Sequence, residues 1–527
     1  MAEPTETWKP KYNPWLIAVV VALAAFMEVL DTSIANVALP HIAGNLGASN
    51  DESTWVLTSY LVSNAIVLPI SGWLAMVIGR RRFFLLCIFL FTVSSLLCGA
   101  ALSLGMLILF RVLQGAGGGG LQPMAQAILA DTFPPQKRGL AFALYGITAV
   151  MAPTIGPTLG GWITDNYTWR WIFYINLPIG ILTFFLVMRM VEDPPYLRRG
   201  RGAGIRVDYI GIALLALGIG ALQVLLDKGQ EDDWFGSNFI VTLAAIAAVC
   251  LISLVFWEWR HKAPIVDVRM YKSFNFAVAS LMMFILGVLL FSSLVMMPQF
   301  LQTLMGYTAE SAGLVLSGAS MVILFQMPIV GQLTTKIPAK YIMAFGWLCL
   351  AGGMYYSTKR IDLLISFRSA AWLRVVQSFG LGFLFVPINV AAYIGVAPEK
   401  GNSVSGLVNF MRNIGSSVGT SMVTTLLARR AQFHQSVLTY HATNYDPAFR
   451  NQISGLTQQL VHSGASAPDA QVQAYGRVYQ SVLAQSQTLA YVDTYMVLAV
   501  AASIMFVLAF IVRKNDTAGA SAEAAVG

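Results

Sequence analysis

Glu28 and Asp31 stand three residues apart inside the first long apolar run of the chain, and Arg111 lies inside another such run. On a helix, positions i and i+3 share one face, so both carboxylates point the same way. Counted from Trp15 at 1.5 Å per residue, Asp31 falls about 24 Å along its helix, within a hydrocarbon core of about 30 Å. A charge at the centre of that core costs about 3 kcal/mol even on the lenient insertion scale. Desolvation favours the neutral form of a carboxyl group, so an acid there can bind and release protons near neutral pH. The chemistry this suggests is proton coupling. The alternative is an acid permanently paired with a buried base. Arg111 needs such a partner too, and either Asp31 or Glu28 can supply it. If they pair, a proton on the acid frees the arginine and biases one conformation over another.

Elimination narrows the proton carriers. His41, His261, His434, His441 and His462 fall outside the apolar runs, in expected loops, so no histidine relay crosses the membrane. Asp227, Glu258 and Asp493 sit near the ends of runs, where water or snorkelling relieves them. No Walker-A sequence is present, so the chain does not itself hydrolyse ATP, and an ion gradient is the expected energy source, with no cofactor. The run Gly115-Ala-Gly117-Gly118-Gly119-Gly120 matches a dinucleotide fingerprint in form only. No strand precedes it, and small residues let membrane helices approach closely.

The elements that position these groups are spanning helices. The chain is 57% hydrophobic and only 11% charged, where soluble proteins carry about 25% charged residues. An all-α polytopic membrane protein is the expected class. Its charge of +8 does not indicate nucleic acid, because the basic residues gather in short loops as membrane topology demands. Fourteen runs are long enough to span, near 15–38, 54–77, 83–103, 105–129, 140–163, 171–190, 209–226, 239–257, 275–298, 311–333, 341–357, 372–397, 403–428 and 488–512. Arg80, Arg81, Arg82, Lys137, Arg138, Arg198, Arg199, Arg201 and Arg206 then share the side of both termini, which predicts cytoplasmic ends. Lys359, Arg360 and Arg368 run against that count.

A repeat divides the chain. Pro40, Gly47, Gly72 and Arg111 recur as Pro298, Gly306, Gly331 and Arg374, at offsets of 258 to 263 residues. The expected plan is a cytoplasmic N-terminus (1–14), a six-helix half (15–190), a basic linker with two inserted helices (191–274), a second six-helix half (275–512) and a cytoplasmic tail (513–527). Parallel halves with a site at their interface make a rocker-type transporter. Within the spans, Asn36, Tyr60, Asn64, Gln114, Gln377, Asn409 and Arg412 are polar candidates for the substrate pocket, and Asn389, Asn413 and Arg374 are also polar. Met282, Met283, Met296, Met297, Met321 and Met327 could line a cavity for varied hydrophobic ligands, or simply pack. The stretch 431–486, placed outside, has helical apolar spacing in its second part, which can extend the last span and offer a docking surface or act as a spacer.

These motifs, taken in order, resemble the fourteen-spanner drug:proton antiporters of the major facilitator superfamily. Leu30-Asp-Thr-Ser-Ile-Ala-Asn-Val-Ala-Leu-Pro40 is similar to that family's first-helix motif, a resemblance that favours Asp31 as the proton carrier, while the spacing does not exclude Glu28. Arg111-Val-Leu-Gln-Gly115 resembles the fourth-helix motif linked to proton transfer. Gly156, Pro157, Gly160 and Gly161 resemble the antiporter motif of the fifth helix, and Trp169-Arg-Trp-Ile-Phe-Tyr-Ile-Asn-Leu-Pro-Ile-Gly180 the motif after it. The motif after the second helix departs from the pattern, with Met76 where an Asp belongs. The EmrB branch shares that departure, the long outer loop and the segment Ser405-Gly-Leu-Val-Asn-Phe-Met-Arg412. The resemblance implies the major facilitator fold with 14 transmembrane helices (6 + 2 inserted + 6). It also implies an inner-membrane proton antiporter for hydrophobic drug-like compounds. Its partners would be a periplasmic adaptor of the EmrA type and a TolC-like outer-membrane channel. The rival functions are a dedicated exporter of one metabolite or siderophore, and a non-transporting receptor or scaffold.

Overall fold

A computed structural model of the chain describes residues 10–194, 207–261, 264–440, 442–443 and 445–512. The basic cluster of Arg198, Arg199, Arg201 and Arg206, His441, the first nine residues and the tail from 513 lie outside them. The described residues form helices and their connections. In chain order the long ones are α1 (Pro14–Leu46), α2 (Trp55–Ile78), α3 (Arg80–Gly99), α4 (Leu104–Thr132), α5 (Arg138–Asn166), α6 (Trp171–Met190), α7 (Tyr209–Lys228) and α8 (Asn238–Arg260). There follow α9 (Phe274–Thr303), α10 (Ala309–Lys336), α11 (Ala339–Thr358), α12 (Phe367–Ala392), α13 (Gly401–Tyr440) and α14 (Ala467–Ala509). Twelve of them are long and apolar enough to cross a membrane. The other two, α11 and α13, fall on runs expected to span, so the arrangement is compatible with fourteen crossings.

Local chemistry sets the helix ends. Asn13 caps α1 by accepting the Trp15 N–H at 2.9 Å, and Pro14 follows at a position that needs no donor. At the far end Gly47 takes a left-handed φ of 65° and donates back to the Ala43 carbonyl. The glycine run of α4 breaks that helix locally, and its members face Tyr60, Asn64, Cys87 and Phe91 at distances no side chain would allow. Helices α13 and α14 continue well past their apolar stretches. The segment 431–486 is therefore largely helical, with a short helix Pro447–His462 between the two long ones. For the same reason His41, His434 and His462 stand on helices, not in the loops expected for them.

Packing follows the repeat. In the first half α1 lies against α4, α5 and α6, and in the second α9 lies against α12 and α13, and α11 against α12 and α14. The halves meet along α5 with α10 and along α2 and α4 with α13. At the terminal side this boundary is closed. A Cβ on Gly139 would meet the Gly331 carbonyl at 2.8 Å, so α5 and α10 touch backbone to backbone. Met76 is exposed there, while Arg80 turns inward, pairs with Asp131 at the end of α4, and donates to Asn402 Oδ1 of α13 at 2.8 Å. Of the six methionines, Met321 is exposed and the others are buried between helices, as packing residues are. Glu258, expected near water, is wholly buried and accepts the Ile265 and Val266 N–H groups.

Candidate functional site

One face of α1 presents both carboxylates, but their surroundings differ. Asp31 is bound entirely from within the first half. Arg111 Nη1 on α4 donates to its Oδ2 at 2.6 Å. Gln114 Nε2, one turn on, donates to Oδ1 at 2.9 Å, and Asn176 Nδ2 of α6 to the same oxygen at 2.7 Å. Arg111 is itself fixed, with Nε on the Val56 carbonyl at 3.0 Å and the guanidinium 4.2 Å above the Tyr60 ring. The pair is 0% and 1% exposed at its side chains. A charge pair this dry is held by direct contact and surrounding donors, because water contributes nothing.

Among the described residues no cation is in direct contact with Glu28. Asn64 Nδ2 donates to its Oε1 at 3.0 Å, the Tyr60 hydroxyl to the same oxygen at 3.5 Å, and Gln122 Nε2 to Oε2. Gln122 leads across the boundary, because its Oε1 accepts from Arg412 on α13 and from the Tyr145 hydroxyl at 2.9 Å. The Tyr145 hydroxyl also lies 3.2 Å from Asn409 Oδ1. Asn409 Nδ2 donates to Gln126 Oε1 at 2.7 Å, Gln126 Nε2 to Asn389 Oδ1 at 3.0 Å, and Asn413 Nδ2 to Asn64 Oδ1 at 3.0 Å. The bonds that Arg412, Asn409, Asn389 and Asn413 make with Gln122, Tyr145, Gln126 and Asn64 join the two halves. Glu28 is therefore the acid of the interface, and Asp31 the acid of one half.

Residues 21–420 match the family model of the Major Facilitator Superfamily. The chain is 39% identical over 449 residues to the multidrug export protein EmrB of Escherichia coli K12, covering 84% of this chain and 87% of that one. It is 41% identical over 432 residues to EmrB of Haemophilus influenzae, covering 82% and 84%. The chain belongs to the EmrB branch of the major facilitator superfamily. The fold agrees: the proton:xylose symporter XylE superposes with a TM-score of 0.60 at 13% identity, over 96% of this chain and 97% of that one.

Most of the site residues expected from the sequence of this major facilitator come together. Asp31, Arg111 and Gln114 form the first cluster, Glu28, Asn64, Asn409 and Arg412 the second, and Tyr60 touches both. In the antiporter motif, Gly156 and Gly160 abut Ser33 and Ile34 of α1, so α5 bears directly on the turn that carries Asp31, while Gly161 faces open space. Pro157 lies within the unbroken α5. Two candidates stand apart. Asn36 is exposed, and Gln377 lies inside the second half, bonded to Arg374 at 3.3 Å and Ser357 at 2.8 Å. Sequence reasoning missed Gln122, Gln126, Tyr145 and Asn176. The first two are polar at i and i+4 on one apolar helix face, a signal that was available. Asn176 lies within the quoted motif that ends at Gly180.

Proposed function

We propose that this chain is a proton-coupled multidrug exporter of the inner membrane, in which Glu28 exchanges the proton. In this reading the Asp31–Arg111 pair stays fixed and frames α1 for the exchange. The observation that carries it is the wiring of Glu28: neutral donors only, one of them Gln122, which reaches Arg412 of the other half. A proton on Glu28 removes its charge, weakens the bond it accepts from Gln122 and loosens the grip of Gln122 on Arg412. Five links cross the boundary here. At about 1 kcal/mol each, they are comparable to the roughly 5.5 kcal/mol that swings a two-state equilibrium from 1:99 to 99:1. Breaking them allows the halves to rock and expose the site alternately. Both termini lie in the cytoplasm, as the basic loops require.

The test is transport by the purified chain in proteoliposomes under an imposed pH gradient. A lipophilic cation, a lipophilic weak acid and a neutral aromatic compound should all move against their gradients when protons flow the other way. Movement of one compound alone favours a dedicated exporter, and binding without gradient-driven flux favours a receptor.

The helical projection formed by the outer ends of α13 and α14 and the short helix between them would meet the periplasmic adaptor of EmrA type, and through it a TolC-like channel. Tyr445, Val472 and Tyr479 are 95%, 72% and 51% exposed on it, and water alone does not reward that arrangement. Exchanging all three for serine is expected to weaken copurification with the adaptor at least tenfold while gradient-driven flux stays within twofold. Undiminished copurification would remove the projection from the adaptor contact.

A further inference from the structure

The inserted pair α7–α8 belongs to neither half by sequence, yet its contacts with the two halves differ in kind. Toward the first half, α7 lies against α2, with Gly220 facing Val62 and Ile66. Lys228, 5% exposed, sends its ammonium to the Thr54 hydroxyl and, at 3.3 Å, to the Asp51 carbonyl, with Glu231 beside it and the Trp55 ring at 5.9 Å. The Thr58 hydroxyl donates to Asp227. These are charge-assisted bonds, roughly twice as strong as neutral ones.

Toward α13 the hairpin's bonds among the described residues are neutral, whereas the segment after α8 carries charged ones, Arg269 donating to the Trp259 and His261 carbonyls and Lys400 to Asp267. Gln223 and Ser417 of α13 exchange hydrogen bonds at 2.8 and 3.1 Å. One turn beyond α7, the Trp234 indole donates to Thr425 of α13 at 3.1 Å. Asp233 and Trp234 have φ of 54° and 47°, a region that non-glycine residues rarely occupy unless their surroundings hold them there. The turn is thus set so that Trp234 reaches across to the other half.

We infer that the inserted hairpin travels with the first half and forms a releasable latch, Gln223 on Ser417 and Trp234 on Thr425, across the seam between α2 and α13. This rests on the alternating-access reading above. When the halves separate at this seam, the neutral bonds to α13 give way before the charged anchor on α2. The moving bodies are then eight helices against six, and Gln223 and Trp234 are positioning residues for the closed state of the seam.

The experiment uses the full chain with its four cysteines replaced and three introduced pairs, each joined by a short thiol crosslinker. Val62→Cys with Gly220→Cys ties α7 to the first half. Gln223→Cys with Ser417→Cys ties it to the second. Thr154→Cys with Ser320→Cys joins α5 to α10, whose hydroxyls lie 2.5 Å apart, and should stop any rocking transporter. The proposal expects gradient-driven flux to stay within twofold for the first pair. For the second it should fall more than tenfold and return on reversal of the crosslink. A block by the first pair, or normal flux with the second while the third is blocked, overturns the latch and leaves the transport reading standing. Normal flux with the third pair crosslinked overturns the alternating-access reading, and the latch with it. Spin labels give a second measurement that needs no transport. The distance from Val249 on α8 to Leu102 should hold between pH 5 and pH 8 while that from Val249 to Leu364 changes, all three positions being exposed. The reverse pattern overturns the assignment of the hairpin to the first half.

Discussion

Glu28→Gln is expected to abolish uphill export while leaving downhill exchange of the same compounds within a few-fold of the parent. The amide keeps the size of the side chain, and its single oxygen accepts from Asn64 or from Gln122 but not from both, so it stands in for the protonated acid. What it loses is the ability to carry a proton. For each proton exchanged, one pH unit is worth about 1.4 kcal/mol, or about tenfold accumulation. The parent chain should therefore show accumulation that rises about tenfold per unit of imposed gradient for each proton exchanged, and the variant a ratio near one at every gradient. Measuring accumulation against the imposed gradient checks this directly. A variant that keeps the slope would move the exchanging role elsewhere, and Asp31 is the other intramembrane acid on that face.

Asp31→Asn should act differently, through the fold first. Its carboxylate is the anionic partner of Arg111 and also accepts from Gln114 and Asn176. Removing one member of a buried pair leaves the other charge uncompensated and costs about 3–5 kcal/mol. The unfolding free energy in detergent is expected to fall by that amount, with transport lost as α1 shifts. Replacing both members, Asp31→Leu with Arg111→Met, should restore most of the stability, because a well-packed apolar pair can equal a buried ion pair. The double variant separates structure from coupling. If Asp31 only frames the site, the repacked protein regains stability and part of its gradient-driven flux. If it regains stability and no flux at all, Asp31 has a part in coupling beyond framing.

The comparison of these two acids shows what the sequence could and could not display. The Asp31–Arg111 contact was legible, because both groups are expensive in a membrane and each needs the other. The bridge from Glu28 through Gln122 to Arg412 was not, since its last link joins positions 290 residues apart and no local spacing signals it. Asn36 was misplaced for a simple reason: five residues beyond Asp31 means about 140° around a helix of 3.6 residues per turn. Gln377 was misplaced by the repeat itself. Arg374 and Gln377 copy the geometry of Arg111 and Gln114, but Ser293 at 2.9 Å stands where the first half has Asp31. The second half keeps the scaffold without the acid. Each apolar run falls on a long helix, and the helical spacing in the second part of 431–486 marks the extension of α14, whereas the length of α13 was not legible, because a search for apolar residues stops where the membrane does.

Helix α13 carries Asn409, Arg412 and Asn413 at the polar boundary and continues without a break to Tyr440. From Arg412 to its end it is about 42 Å long at 1.5 Å per residue. Asp493 of α14 holds it from the side, accepting from Arg430 at 2.6 Å with His434 at 2.7 Å, so the two helices form one stiff arm. A tilt of about 10° pivoting at Arg412 then carries the tip about 7 Å, a lever ratio set by helix geometry alone. A change in how Gln122 is shared that tilts α13 by this much would be magnified into a displacement at its tip, far from the carboxylate where it began.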